Sequence, residues 1–191
     1  MTARTHDLFA ATAGLVAIVY GQVPEMTLGT AVVAASSLFL GGMAPDLDEP
    51  GAQFWQRMPA GAGTILGKIV APVFGSHRFV THSLVGLALL GWVVRKVLEW
   101  SNGWLVISIE VVWWAFMLGA VSHLVADMLT KEGVPLLWPL PWKFGIPPFK
   151  NLRITTGGWM EKALFVGLVC ADIWLVRSFS LEFLEFVNKL V

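Results

Sequence analysis

The sequence predicts an all-α integral membrane protein: a polytopic helical bundle of about five spans, opened by a short N-terminal hairpin. Three observations carry this. Hydrophobic residues fill 56% of the 191 positions and charged residues only 14%, where a soluble domain is charged at about 25%. The apolar residues gather into runs approaching the ~20 that cross a bilayer. Ten Trp and 12 Phe add bulk suited to lipid and to its interfaces. The formal net charge is zero, so no basic excess exists to neutralise phosphates, and nucleic acid is excluded as a partner. The length fits one domain, and the lone Cys170 forms no internal disulfide.

The elements follow in order. Residues 8–20 and 28–43 are apolar, rich in Ala and Gly, and separated by the turn-like Gly21-Gln22-Val23-Pro24-Glu25. Ala10, Ala13, Gly14 and Ala17 recur at helical spacing and let backbones approach closely. Each run is short for a span, so the pair is a tight hairpin of two short spans or a re-entrant pair. Residues 80–98 form the third span, with His82 near its start and Arg95 and Lys96 near its end. Residues 104–129 form the fourth and carry Glu110, His123 and Asp127. Residues 162–176 form the fifth, closed by Arg177. Residues 1–178 thus read as one transmembrane domain and 179–191 as an amphipathic interfacial tail. In the tail Phe179, Phe183, Phe186 and Leu190 fall at helical spacing, with Glu182, Glu185 and Lys189 between them.

Five spans place nine basic residues, counting Lys162 at the start of the fifth, on the side of residues 1–7, 44–79 and 130–161, and four on the other. The positive-inside bias then puts the N-terminus and both long loops in the cytoplasm.

The ionisable residues do not scatter. His6, His77, His82 and His123 all fall at the cytoplasmic end of a span or just outside it, as do Asp46, Asp48 and Asp127. His123 and Asp127 are four apart on an apolar helix and share one face. An imidazole and a carboxylate so placed suit one metal ion, or the acid orients the ring. A His–Asp pair tying helices together is the plainer reading, but ionisable groups in a span are costly and usually functional. Ser76-His77-Arg78-Phe79-Val80-Thr81-His82-Ser83 opens the third span with two imidazoles and a guanidinium. Arg78 is suited to clamp a phosphate in two places, although Arg and His also snorkel to head groups. Pro45-Asp46-Leu47-Asp48-Glu49 ends the second run with acids that attract divalent cations. Glu110 lies toward the far end of its helix and stays outside the site. The loop 131–161 holds too many prolines for a helix and too many apolar residues for a solvated loop. It reads as a lid or an interfacial segment lying over the site, with Trp138 and Trp142 at head-group depth and Lys143, Lys150 and Arg153 making it basic. Thr155-Thr156-Gly157-Gly158 opens the last helix as a plain cap or an anion site.

Together these residues resemble the YdjM-like family of bacterial inner-membrane proteins, described as membrane-bound metal-dependent hydrolases. Four blocks carry the resemblance, over about residues 1–160: His6; Pro45-Asp46-Leu47-Asp48; His77-Arg78 through Thr81-His82-Ser83; and Ser122-His123-Leu124-Val125-Ala126-Asp127, running into Thr130-Lys131-Glu132-Gly133-Val134-Pro135-Leu136-Leu137-Trp138-Pro139. The resemblance implies an inner-membrane helical protein with a His/Asp metal centre.

The expected site has His82, His123, Asp127 and Asp48 as leading metal ligands, with His6, Asp46 and His77 behind them. Seven groups exceed the three or four that one zinc takes from a protein. Either two ions bind, or some groups orient ligands or act as general base, a role that suits Asp46. Arg78 would stabilise developing negative charge, and Lys150, Arg153 and Trp138 would contact substrate. The expected reaction is hydrolysis of a phosphoester or ester on a membrane lipid or lipid-linked substrate, with zinc the favoured ion. The rival is a non-catalytic membrane protein: an ion or metal transporter, which would place its ionisable residues near the midplane, or a regulatory adaptor.

Overall fold

The computed structural model describes residues 1–21, 23–59, 62–70, 80–101 and 104–190. Among them the helices run α1 (Ala3–Tyr20), α2 (Leu28–Met43), α3 (Gln53–Gln56), α4 (Ala62–Val70), α5 (Leu84–Ser101), α6 (Ile109–Met128), α7 (Trp159–Ser178) and α8 (Ser180–Asn188). The described residues form no β-strand, only isolated bridges. The fold is all-α, as the sequence predicts.

Leu28–Asp48 and Ile109–Met128 are long and apolar enough to cross a membrane. A third span is added if α7 and α8, bent by 71° at their junction, are counted as one. Length and composition therefore support two to three spans, and do not reach the expected five. Charge is the reason: Arg4 and Asp7 occupy the first turns of α1, and Arg95, Lys96 and Glu99 the last turns of α5.

The closest pairing is α2 against α6. Thr27 opens α2 by accepting the Thr30 N–H on its hydroxyl, at 3.1 Å. Buried Ala34, Leu38 and Gly41 then face buried Val112, Phe116 and Gly119. A Cβ on Gly41 would fall 2.0 Å from the Phe116 carbonyl oxygen, and one on Gly119 would fall 1.9 Å from that of Leu38. Only glycine permits backbones this near. α1 packs across this pair, with Ala10 fully buried and Gly14 against Leu38.

At the site end α2 gives way to a tight 3-10 turn, Ala44–Asp48, with Pro45 in its first positions. Pro45 has no N–H to continue the α-helix, and the tighter turn carries the chain away. α3 and α4 follow within a region that reads as a loop in the sequence. α4 is short and exposes Ile65, Leu66 and Ile69.

Residues 130–158 form an ordered cap rather than a free lid. Val134 and Phe144 exchange both backbone hydrogen bonds at 2.8 Å, and Ile154 N–H donates to Leu129 at the end of α6. Leu84 N–H, at the start of α5, donates to Leu136 at 2.9 Å. The cap therefore ties the first turn of α5 to the last turn of α6.

At the other end α8 folds back. Met26 N–H donates to Lys189, and Phe179 meets Tyr20 edge to face.

Candidate metal centre

Five side chains from four segments converge at one end of the bundle. His6 comes from the first turns of α1. Asp46 comes from the 3-10 turn after α2, and His82 from the turn before α5. His123 and Asp127 share the last turns of α6. His6, His82, His123 and Asp127 are buried, while the Asp46 side chain keeps 30% exposure.

Four atoms define the middle of the cluster. His82 Nε2 lies 3.4 Å from Asp46 Oδ1 and 3.6 Å from Asp127 Oδ2. His123 Nε2 lies 3.6 Å from Asp46 Oδ1 and 3.7 Å from Asp127 Oδ2. Ligand atoms at 2.0–2.1 Å from a tetrahedral ion stand about 3.3–3.4 Å apart. The observed separations are close to that spacing. His6 flanks the other oxygen: its Nε2 is 3.3 Å from Asp127 Oδ1, and its ring stacks on His123 with centroids 3.8 Å apart. The Met1 amino group also lies against Asp127 Oδ1.

Both inner imidazoles are held by their far nitrogen. His123 Nδ1–H donates to the Gly42 carbonyl at 2.7 Å. The Thr81 hydroxyl donates to Asp48 Oδ2 at 2.7 Å, and so accepts from His82 Nδ1–H at 3.1 Å. Each arrangement leaves the Nε2 lone pair aimed at the carboxylates, as in metal-binding histidines. His123 Nε2 is buried and makes no hydrogen bond among the described residues. A buried acceptor in that state calls for a partner, and a metal ion beside it fits the donor set. The groups His6–His123–Asp127 and Asp46–His82–His123 could each hold a metal ion.

The predicted ligands divide accordingly. His6, His82, His123 and Asp127 do come together. Asp48, expected as a leading ligand, is not among the facing groups: it sits behind Thr81 as a support, while Asp46 faces the histidines. A 3-10 turn places residues two apart on different sides. His77 and Arg78 lie outside the described residues. Arg153, expected at the substrate, is buried and donates from Nε to Pro147 O and from Nη2 to Pro148 O, at 2.7 and 2.9 Å. It braces the cap, with Gly133 and Gly145 pressed against its guanidinium. Lys150 is exposed and Trp138 half-buried. Glu110, left outside the site by the sequence, pairs with Arg95 and accepts from Trp114 Nε1.

The model of the YdjM inner membrane protein family matches residues 1–185. This chain belongs to that family. The inner membrane protein YdjM of Escherichia coli (strain K12) is 33% identical over 93% of this chain and 84% of its own length, and that of Shigella flexneri gives the same figures. The uncharacterised YvsG of Bacillus subtilis (strain 168) is 29% identical over 91% of the chain and 93% of its own length. No solved structure matches significantly. Family membership and the apolar helices place the protein in the inner membrane.

Sequence reasoning missed one residue beside this cluster. Glu161 stands at the third position of α7, after the N-cap Gly158, and its buried carboxylate accepts Gly157 N–H at 2.6 Å. It thereby occupies the N-terminal position at Thr155-Thr156-Gly157-Gly158 that the sequence offered as a plain cap or an anion site. A glutamate three residues after a cap is a known capping signal and could have marked it.

Proposed function

We propose that this protein is a membrane-embedded hydrolase using one zinc-type ion, which cleaves a phosphoester or ester of a lipid or lipid-linked substrate. The observation that carries the reading is the set of four N···O separations of 3.4–3.7 Å that link His82 and His123 to Asp46 and Asp127, with both imidazoles oriented through Nδ1. His82, His123 and Asp127 would hold the ion and leave room for water beside Asp46, with His6 against Asp127. When bound, such an ion supplies Lewis acidity and lowers the pKa of water it takes up.

The chain's own residues do the rest. A small opening, about 10 Å³, is lined by Ala3, His6, Gly42, Met43, Asp46 and Phe54. That is the least space in which one water fits. Asp46 borders this opening and is the exposed member of the cluster, so it takes a proton from an attacking water as general base. Arg78, four residues before His82 in the chain, carries the fork that would steady developing charge on a phosphate or acyl oxygen. Lys150 and Trp138 remain available for head-group contact. The cluster's place at one end of the apolar helices favours a substrate presented at head-group depth. It disfavours a transporter, whose ionisable residues sit near the midplane. The nine-to-four basic bias supports a cytoplasmic position for this end.

The test is elemental analysis of the detergent-purified protein, together with hydrolysis of a panel of lipid phosphates and esters in vesicles. We expect about one divalent ion per chain, and loss of both ion and hydrolysis in His123→Ala and Asp127→Asn. A wild-type protein without stoichiometric metal would leave the adaptor. A metal-loaded protein inert on the panel would leave transport.

A further inference from the structure

A buried carboxylate outside the cluster is gripped from two helices. Glu161 Oε1 accepts Thr2 N–H, the Thr2 hydroxyl and the Thr5 hydroxyl, each at 2.7 Å. Its Oε2 accepts Gly157 N–H at 2.6 Å. Neither Thr2, the N-cap of α1, nor Gly158, the N-cap of α7, supplies a side-chain cap of its own. Glu161 caps both starts at once, where the positive ends of two helix dipoles meet it. A carboxylate this buried is tolerable only while its donors stay in place. The same bonds therefore hold the donors.

Those donors belong to the turn that carries His6. Thr5 precedes it directly, and His6 N–H bonds back to Thr2 O at 3.1 Å. The His6 ring makes no hydrogen bond among the described residues. It is placed by stacking on His123 and by the approach to Asp127, so its position follows the turn beneath it. We propose that Glu161 is a positioning residue of the metal centre, fixing the first turn of α1 and, through it, His6 against Asp127 and His123. This rests on the metal reading given above, and extends the centre to a fifth segment of the chain.

Glu161→Gln keeps the shape and removes the second acceptor. An amide offers one oxygen and one NH₂. With the oxygen toward the threonines, the NH₂ faces Gly157 N–H; flipped, it faces Thr2 N–H. Either way a donor meets a donor in a buried place.

The experiment is a double-mutant cycle on zinc affinity, read by competition with a chromophoric chelator on the full chain in detergent. The four proteins are wild type, Glu161→Gln, His6→Ala and the double variant. Supporting groups of this kind are worth about ten- to a hundredfold in metal affinity. We expect that loss in Glu161→Gln, at least as much in His6→Ala, and no further loss when the two are combined. An unchanged affinity in Glu161→Gln overturns the proposal. So does an equal loss in the His6→Ala background, the mark of a merely structural role. If Glu161→Gln does not fold, Thr5→Val removes one donor and enters the same cycle, with a smaller loss that His6→Ala abolishes. A wild-type chain that binds no zinc overturns the metal reading itself; failure of the cycle with wild-type binding intact overturns only the role of Glu161.

Discussion

One methyl group at Gly119 should disable the centre from a distance. The Cβ it adds would lie 1.9 Å from Leu38 O and 2.8 Å from Gly42 N. Ordinary contact starts near 3.4 Å, so the pair is short by about 1.5 Å, well inside the repulsive wall. Both obstructing atoms are backbone, and no side chain can swing aside. α2 and α6 must therefore part or tilt. Their separation is also the separation of the site: Asp46 travels with α2, and His123 and Asp127 with α6. Moving α6 by about 1 Å stretches the 2.7 Å bond from His123 Nδ1 to Gly42 O beyond hydrogen-bond range. The same shift opens the 3.6 Å gap from His123 Nε2 to Asp46 Oδ1 and carries the base away from the histidine it serves. Overpacking of this kind costs about 1–3 kcal/mol, and a backbone clash belongs at the upper end. Gly119→Ala should lose about 3 kcal/mol in reversible unfolding from detergent, and at least about a hundredfold in zinc affinity through the displaced ligand and its lost support. Gly167→Ala on α7 is the control, because nothing lies within 4 Å of its Cβ. It should leave zinc binding unchanged and gain up to about 1 kcal/mol from helix propensity. A Gly119→Ala protein with wild-type stability and wild-type zinc affinity would refute the close α2–α6 packing as the frame of the centre.

Two further outcomes are expected. Thr81→Val removes the hydroxyl between Asp48 and His82 and should weaken zinc binding about ten- to a hundredfold; an unchanged affinity would detach Asp48 from the centre. Gln56→Cys in a Cys170→Ser background should resist a membrane-impermeant thiol reagent in intact cells, while ready labelling would place the site end outside.

The sequence made the long helices and most of the cluster legible for the same reason. In an apolar run, an ionisable residue is conspicuous, and four-residue spacing fixes its face. That is how His123 and Asp127 could be paired before any tertiary contact was known. Asp46 and Asp48 could not be told apart, because their directions depend on the tight turn that follows Met43, and Pro45 marks only that the helix ends. Arg153 misled because a basic residue in a loop resembles a substrate group. The clue to its burial was beside it: Gly133 and Gly145 leave room for the guanidinium, and two prolines free of N–H groups present it with carbonyls. Glu161 was hidden by distance, since its partners Thr2 and Thr5 sit at the far end of the chain. α3 and α4 are too short, and too full of Gly and Pro around them, for periodicity to show.

The supports also explain why the sequence blocks have the composition they do. Pro45-Asp46-Leu47-Asp48 needs two acids because they serve different partners, Asp46 the histidines and Asp48 the hydroxyl of Thr81. Thr81 must precede His82 because its oxygen relays between that carboxylate and the ring. Gly41 and Gly42 precede the turn for two distinct reasons. Gly41 admits the Phe116 backbone, and the Gly42 carbonyl receives His123. The group of residues that touches the ion position is thus smaller than the group that specifies it. His123 is pinned directly by Gly42 of another segment, and His82 through its neighbour Thr81 by Asp48, so no single helix of the bundle can form the centre alone. A centre built this way is assembled only when α2, α5 and α6 have all docked, which makes ligand geometry a property of the packed bundle rather than of any motif within it.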